Sequence, residues 1–120
     1  MKIAMATLEE NMETKLDQTF GRAVYFLIHD TETGENKFMI NPAKDATGGA
    51  GIKSAQTLVD EKVETLIVFR LGTNAVKVLE GGNVKCFRAI EDTAEANLKA
   101  FKEGKLTKLE DFHPGYHHAK

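Results

Sequence analysis

The sequence has little cysteine, proline or net charge, and each shortage excludes a class of protein. Its 120 residues include one cysteine, two prolines and no tryptophan. The single cysteine, Cys86, rules out an intrachain disulfide framework, and a formal net charge of -2 provides no general attraction to nucleic acid or anionic membranes. No apolar run approaches the roughly 20 residues of a membrane-spanning helix, and the N-terminus lacks a signal-peptide core. We therefore expect a cytoplasmic protein with no nucleic acid or membrane partner.

What is present is the hydrophobic patterning of an α/β domain. Strand-like runs and helical periodicity follow one another in the order β, β-hairpin, α, β, α, β, α, which requires a mixed sheet with helices on both faces. The predicted strands are residues 2–7, 24–29, 37–40, 65–69 and 84–87. We expect one domain over residues 1–107, followed by a polar, flexible tail over residues 108–120.

The three predicted helices have recognisable faces and ends. In the first helix, at about residues 51–61, the expected buried face is Ile52, Ala55, Leu58 and Val59. The second helix has Thr73 or Asn74 as its expected N-cap and ends at two glycines. In the third helix, Asp92 and Glu95 have the spacing of a capping box.

A glycine-rich segment leads into the first predicted helix. Gly48, Gly49, Ala50 and Gly51 match neither the P-loop pattern nor the dinucleotide fingerprint. A helix start exposes unpaired N–H groups that can receive an anion, but the same glycines can also form only a tight turn. Because ligands of such sheets bind at the carboxyl ends of the strands, the turn at residues 70–74 is expected near this loop.

Several motifs occur in order along nearly the whole chain. They are Phe20-Gly21-Arg22-Ala23 with Tyr25-Phe26, the segment Asp30 to Glu35, Asn41-Pro42, and Gly48-Gly49-Ala50-Gly51. In kind and order, this set resembles the dinitrogenase iron-molybdenum cofactor-binding or biosynthesis proteins. The resemblance implies a ribonuclease H-like, three-layer α/β/α fold around a five-stranded mixed sheet. It also implies a non-enzymatic carrier of iron-molybdenum cofactor or another metal-sulfur cluster, with a cluster donor or acceptor protein as partner.

One position departs from that family pattern. Many relatives have histidine immediately before the Phe-Gly-Arg motif, whereas this chain has Thr19, which has no imidazole nitrogen for a transition metal. The other candidate metal ligands are Cys86 and three histidines near the C-terminus, His113, His117 and His118. Cys86 is also typical of a buried structural cysteine in a strand, and histidine-rich tails often bind metal incidentally.

Together, these patterns predict a site for a metal-sulfur cluster or another small anion. Its expected residues are Thr19, Phe20, Gly21, Arg22, Gly48, Gly49, Ala50, Gly51, Gly72, Thr73 and Asn74. Nuclease chemistry would need clustered carboxylates, and the first strand has none. No nucleophilic triad or Cys-x-x-Cys motif is visible, so we do not predict an enzyme. The competing hypothesis is a small regulatory or interaction domain with no bound cluster.

Overall fold

The computed structural model describes residues 1–110, in which five strands and three helices form an α/β fold. Along the chain they are β1 Lys2–Thr7, β2 Tyr25–Asp30, β3 Asn36–Ile40, α1 Ala50–Asp60, β4 Thr65–Val68, α2 Thr73–Gly81, β5 Lys85–Arg88 and α3 Ala94–Lys102. None of the helices in this part of the chain is long and apolar enough to cross a membrane.

The five strands form one mixed sheet in the order β3-β2-β1-β4-β5. The hairpin strands β2 and β3 are antiparallel, and β2 is also antiparallel to β1. On its other side β1 is parallel to β4, and β4 is parallel to β5. This arrangement confirms the predicted mixed sheet and places β1 and β4 at its centre, whereas the ribonuclease H-like label stays a prediction.

Alternating side chains of the central strands enter two separate cores. Ala4, Ala6 and Leu66 belong to the core shared with α1 and α2. Ile3, Met5, Leu27, Ile67, Ala94 and Leu98 form the core on the α3 side. Since successive strand residues point to opposite faces, a strand covered on both sides needs apolar residues at nearly every position. This is why β1 and β4 are continuous apolar runs.

The predicted buried face of α1 is wrong at Ile52. Its side chain is 43% exposed, while Ser54, Ala55 and Leu58 are buried and Val59 is half-buried. The Ser54 hydroxyl donates to the Gly21 carbonyl oxygen at 2.8 Å. This part-buried hydrogen bond belongs to an orientation of α1 in which the polar Ser54 faces inward and Ile52 faces solvent.

Two predicted helix caps are also wrong. The N-cap of α2 is Gly72, with no side-chain cap, and Thr73 is already the first helical residue. The N-cap of α3 is Thr93, whose hydroxyl accepts from the Ala96 N–H at 3.1 Å. The Asp92 carboxylate instead accepts a hydrogen bond from the N–H of Thr93, the N-cap residue, at 2.7 Å.

The chain after α3 returns to the sheet beside β5. The Arg88 N–H donates to the Thr107 carbonyl, and the Leu109 N–H donates to the Cys86 carbonyl at 3.0 Å. Leu109 is 3% exposed, so the chain remains packed against the domain at least as far as this residue. The division of the chain after residue 107 stays a prediction, and His113, His117 and His118 lie outside the described residues.

Candidate functional site

A crevice of about 480 Å³ opens at the carboxyl ends of the central strands. Three segments surround it: the chain before β2, the start of α1, and the turn between β4 and α2. Its lining residues are Gln18, Thr19, Phe20, Gly21, Arg22, Gly49, Ala50, Gly51, Ile52, Arg70, Leu71, Gly72, Asn74 and Ala75. These segments are the three that the sequence predicts to meet. Gly48 and Thr73 belong to the predicted set but are not in this lining.

Two helices begin at the crevice without side-chain caps. The N-caps of α1 and α2 are Gly49 and Gly72, and neither helix has an acidic residue in its first turn. By contrast, α3 begins away from the crevice with a Thr93 cap and Glu95 in its first turn. Neither of these two helix starts therefore has a capping side chain or a carboxylate that would compete with an anion, and each helix dipole favours negative charge there.

The glycine loop and the Phe-Gly-Arg segment are in direct backbone contact. A Cβ added to Gly21 would lie 2.8 Å from the Gly51 nitrogen and 3.1 Å from the Ala50 carbonyl carbon. Gly49 has φ 68°, the left-handed region that favours glycine. Glycine at these positions thus allows the first turn of α1 to approach the neighbouring wall of the crevice.

The buried side chain of Asn41 connects the Phe-Gly-Arg segment with α1. It is 1% exposed, and its amide nitrogen donates to the carbonyl oxygens of Gly21 and Ala23, each at 3.0 Å. Its amide oxygen accepts from the Ala43 N–H at 2.9 Å and from the Ser54 hydroxyl at 3.2 Å. Asn41 therefore fixes the Phe-Gly-Arg segment against the loop and α1.

The side chains of Arg22 and Thr19 already have local partners. The Arg22 Nη1 donates to the Ala46 carbonyl at 2.6 Å and to the Lys44 carbonyl at 3.4 Å. The Thr19 hydroxyl donates to the Asp17 carboxylate at 2.9 Å. Arg22 still has donors at Nε and Nη2, whereas Thr19 has no basic nitrogen to offer a metal.

Sequence reasoning missed three residues of the lining, Gln18, Ile52 and Ala75. Arg70 and Leu71 are not in the expected set of site residues, but they belong to the turn at residues 70–74 that the sequence predicts near the glycine loop. The signal for that turn is its position after β4, at the carboxyl end of a parallel strand. Ile52 gave no such signal, since its place in the helical period indicates burial.

Cys86 lies apart from the crevice, and its thiol has a raised pKa. It lines a different depression with Glu80, Lys108 and Leu109. Burial, followed by the negative charge of Glu80, raises the pKa of the Cys86 thiol to about 11. Within residues 1–110, no group of three or more His, Cys, Asp or Glu side chains could hold a metal ion.

The raised pKa of Cys86 predicts slow alkylation of the folded protein. A thiol of pKa about 11 is about 0.1% thiolate at pH 8, roughly a hundredfold less than an ordinary exposed cysteine. We expect the iodoacetamide reaction to accelerate about tenfold per pH unit between pH 8 and 10. The urea-unfolded chain is the control and should react at the rate of an ordinary thiol. Rapid labelling of the folded protein at pH 7 would contradict this account.

Comparison with known proteins places the chain in a family. An uncharacterized protein of Methanocaldococcus jannaschii is 34% identical over 113 residues, covering 92% of each chain. The apo form of the orange protein from Desulfovibrio gigas has a TM-score of 0.85 at 25% identity, covering 90% of this chain and 92% of that one. A candidate NifB protein from Thermotoga has a TM-score of 0.79 at 34% identity, covering 89% and 91%. Residues 1–104 match the family model described as dinitrogenase iron-molybdenum cofactor, and the chain therefore belongs to that family.

Proposed function

We propose that this protein binds an anionic metal-sulfur cluster of the iron-molybdenum type, or a related small anion, in the crevice and carries it without catalysing a reaction. The observation that carries the proposal is the pair of uncapped helix starts, α1 and α2, at a crevice also lined by Arg22. Helix N-termini and an arginine all favour negative charge, and backbone N–H groups can donate to sulfide or oxygen.

Family membership supports the identity of the cargo. The family is named for the iron-molybdenum cofactor, and the matching orange protein is described in an apo form. The chemistry of the crevice fits such a cargo through its outer atoms rather than through its metals, because none of the lining residues is cysteine, histidine or a carboxylate.

A cluster held by hydrogen bonds and charge is suited to transfer. Since the crevice lining within residues 1–110 holds no cysteine, histidine or carboxylate, release breaks no metal-ligand bond to these residues, and the cargo exchanges with a cluster donor or acceptor protein. We place this exchange in the cytoplasm, which stays a prediction.

Equilibrium binding of tetrathiomolybdate under anaerobic conditions tests the proposal. Arg22→Ala should weaken binding ten- to hundredfold, since a charge-assisted hydrogen bond contributes roughly 1.5–3 kcal/mol. Cys86→Ser should leave the affinity within about twofold, because Cys86 does not line the crevice.

Circular dichroism spectra of both variants are the folding control. Loss of binding in Cys86→Ser with full retention in Arg22→Ala would move the site to the β5 depression and contradict the proposal. Failure of the wild-type protein to bind would favour a regulatory or interaction domain with no cluster.

A further inference from the structure

The charged side chains that line the crevice are both arginines. Arg22 and Arg70 come from two separate segments, one before β2 and one after β4. The remaining lining residues within the described chain are neutral, and none is an acid, lysine or histidine. A carboxylate that approaches this region, Glu91, accepts from the Gln18 amide at 3.3 Å.

Both guanidinium groups retain donors for a ligand. Two loop carbonyls hold Arg22 through Nη1 alone, at 2.6 and 3.4 Å, which leaves Nε and Nη2 without an acceptor among residues 1–110. Arg70 is exposed, and no side chain or carbonyl in that part of the chain accepts a hydrogen bond from it. A planar guanidinium with free donors can bind an anion through two hydrogen bonds.

Two arginines and two helix starts provide more positive charge than one negative charge can balance. A ligand of higher charge offsets their mutual repulsion more completely, because the attraction between each positive group and the ligand is proportional to the product of the two charges. Water and dissolved ions screen the empty crevice, but a bound ligand displaces them.

We propose that Arg70 is a specificity-determining residue that, with Arg22, selects anions carrying at least two negative charges. This inference rests on the proposed function, since it concerns the ligand of the same crevice. Arg70 binds the side of the ligand that faces the β4–α2 turn, and Arg22 binds the side that faces the Phe-Gly-Arg segment. A monoanion of equal size leaves one guanidinium uncompensated.

Two isosteric probes separate charge from shape. Tetrathiomolybdate and tetrathioperrhenate are both tetrahedral tetrasulfides, with charges of two and one respectively. Affinities of both probes are measured anaerobically for the wild type, Arg70→Gln and the control Lys99→Gln, which removes the same charge from an exposed position of α3. Comparing each variant with the wild type cancels the hydration energy of each probe.

The expected result is a charge-dependent loss in Arg70→Gln. Because the Coulomb term doubles from monoanion to dianion, the fold-loss for tetrathiomolybdate should be about the square of that for tetrathioperrhenate, for instance about ninefold against threefold. Lys99→Gln should change both affinities by less than about twofold, since its charge lies on the other side of the sheet.

Three other outcomes overturn the inference. Unchanged affinities in Arg70→Gln would show that this side chain does not contact the ligand. Equal losses for both probes would show an effect on shape rather than charge. In both cases binding by the wild type persists and the proposed function stands. Failure of the wild type to bind either probe would overturn the proposed function as well.

Discussion

Replacing Asn41 with alanine is expected to lower the free energy of unfolding by roughly 2–5 kcal/mol. The substitution removes the partners of the buried Ala23 carbonyl and the Ala43 N–H. Each buried backbone group left without a partner costs about 1–3 kcal/mol. The Gly21 carbonyl keeps one hydrogen bond, from the Ser54 hydroxyl at 2.8 Å, so it adds little to the decrease in the free energy of unfolding. Urea unfolding followed by circular dichroism measures this change in the free energy of unfolding.

A second asparagine provides the matched control. Asn11 is exposed, and its amide donates only to the Glu9 carboxylate, at 3.3 Å. Asn11→Ala should therefore change the free energy of unfolding by no more than about 0.5 kcal/mol. Equal losses in Asn11→Ala and Asn41→Ala would show that the Asn41 network does not hold the crevice walls together.

Adding one methyl group at Gly21 is expected to destabilise the protein by about 1–3 kcal/mol and to weaken ligand binding. The new Cβ would lie 2.8 Å from the Gly51 nitrogen and 3.0 Å from the Gly51 Cα, both backbone atoms that cannot rotate away. The first turn of α1 must move, and its N–H donors move with it. Urea unfolding and tetrathiomolybdate affinity of Gly21→Ala measure the two effects.

Gly48 is the natural comparison for this substitution. A Cβ at Gly48 meets nothing within 4 Å, and its φ is not positive. Gly48→Ala should keep the unfolding free energy within about 1 kcal/mol of the wild type and leave binding unchanged. If Gly21→Ala were equally harmless, the close contact between the two crevice walls would not be a real constraint.

The fold follows largely from patterns visible in the sequence. Continuous apolar runs in β1 and β4 indicate strands covered on both faces, and the order of elements then requires helices on both sides of the sheet. The position of the crevice follows as well, because the carboxyl ends of parallel strands bring together the segments that follow them.

The details of the site depend on contacts that no local pattern encodes. The helical period assigns Ile52 to the core, but the part-buried hydrogen bond from Ser54 to Gly21 orients α1 differently. Asn41 precedes a proline and is typical of a turn, yet the four hydrogen bonds of its side chain form with residues up to 20 positions away in the chain. Long-range partners of this kind become visible only in the folded chain.

The most direct test of an anion site in the crevice is an anaerobic titration of ¹⁵N-labelled protein with tetrathiomolybdate, followed by amide chemical shifts. We expect saturable shifts at the starts of both crevice helices, in Gly49 to Gly51 and Gly72 to Asn74, and in the adjoining Gly21 and Arg22. Amides of α3 should remain unchanged, because that helix packs on the opposite face of the sheet. Shifts confined to other segments, or none at millimolar ligand, would contradict the account.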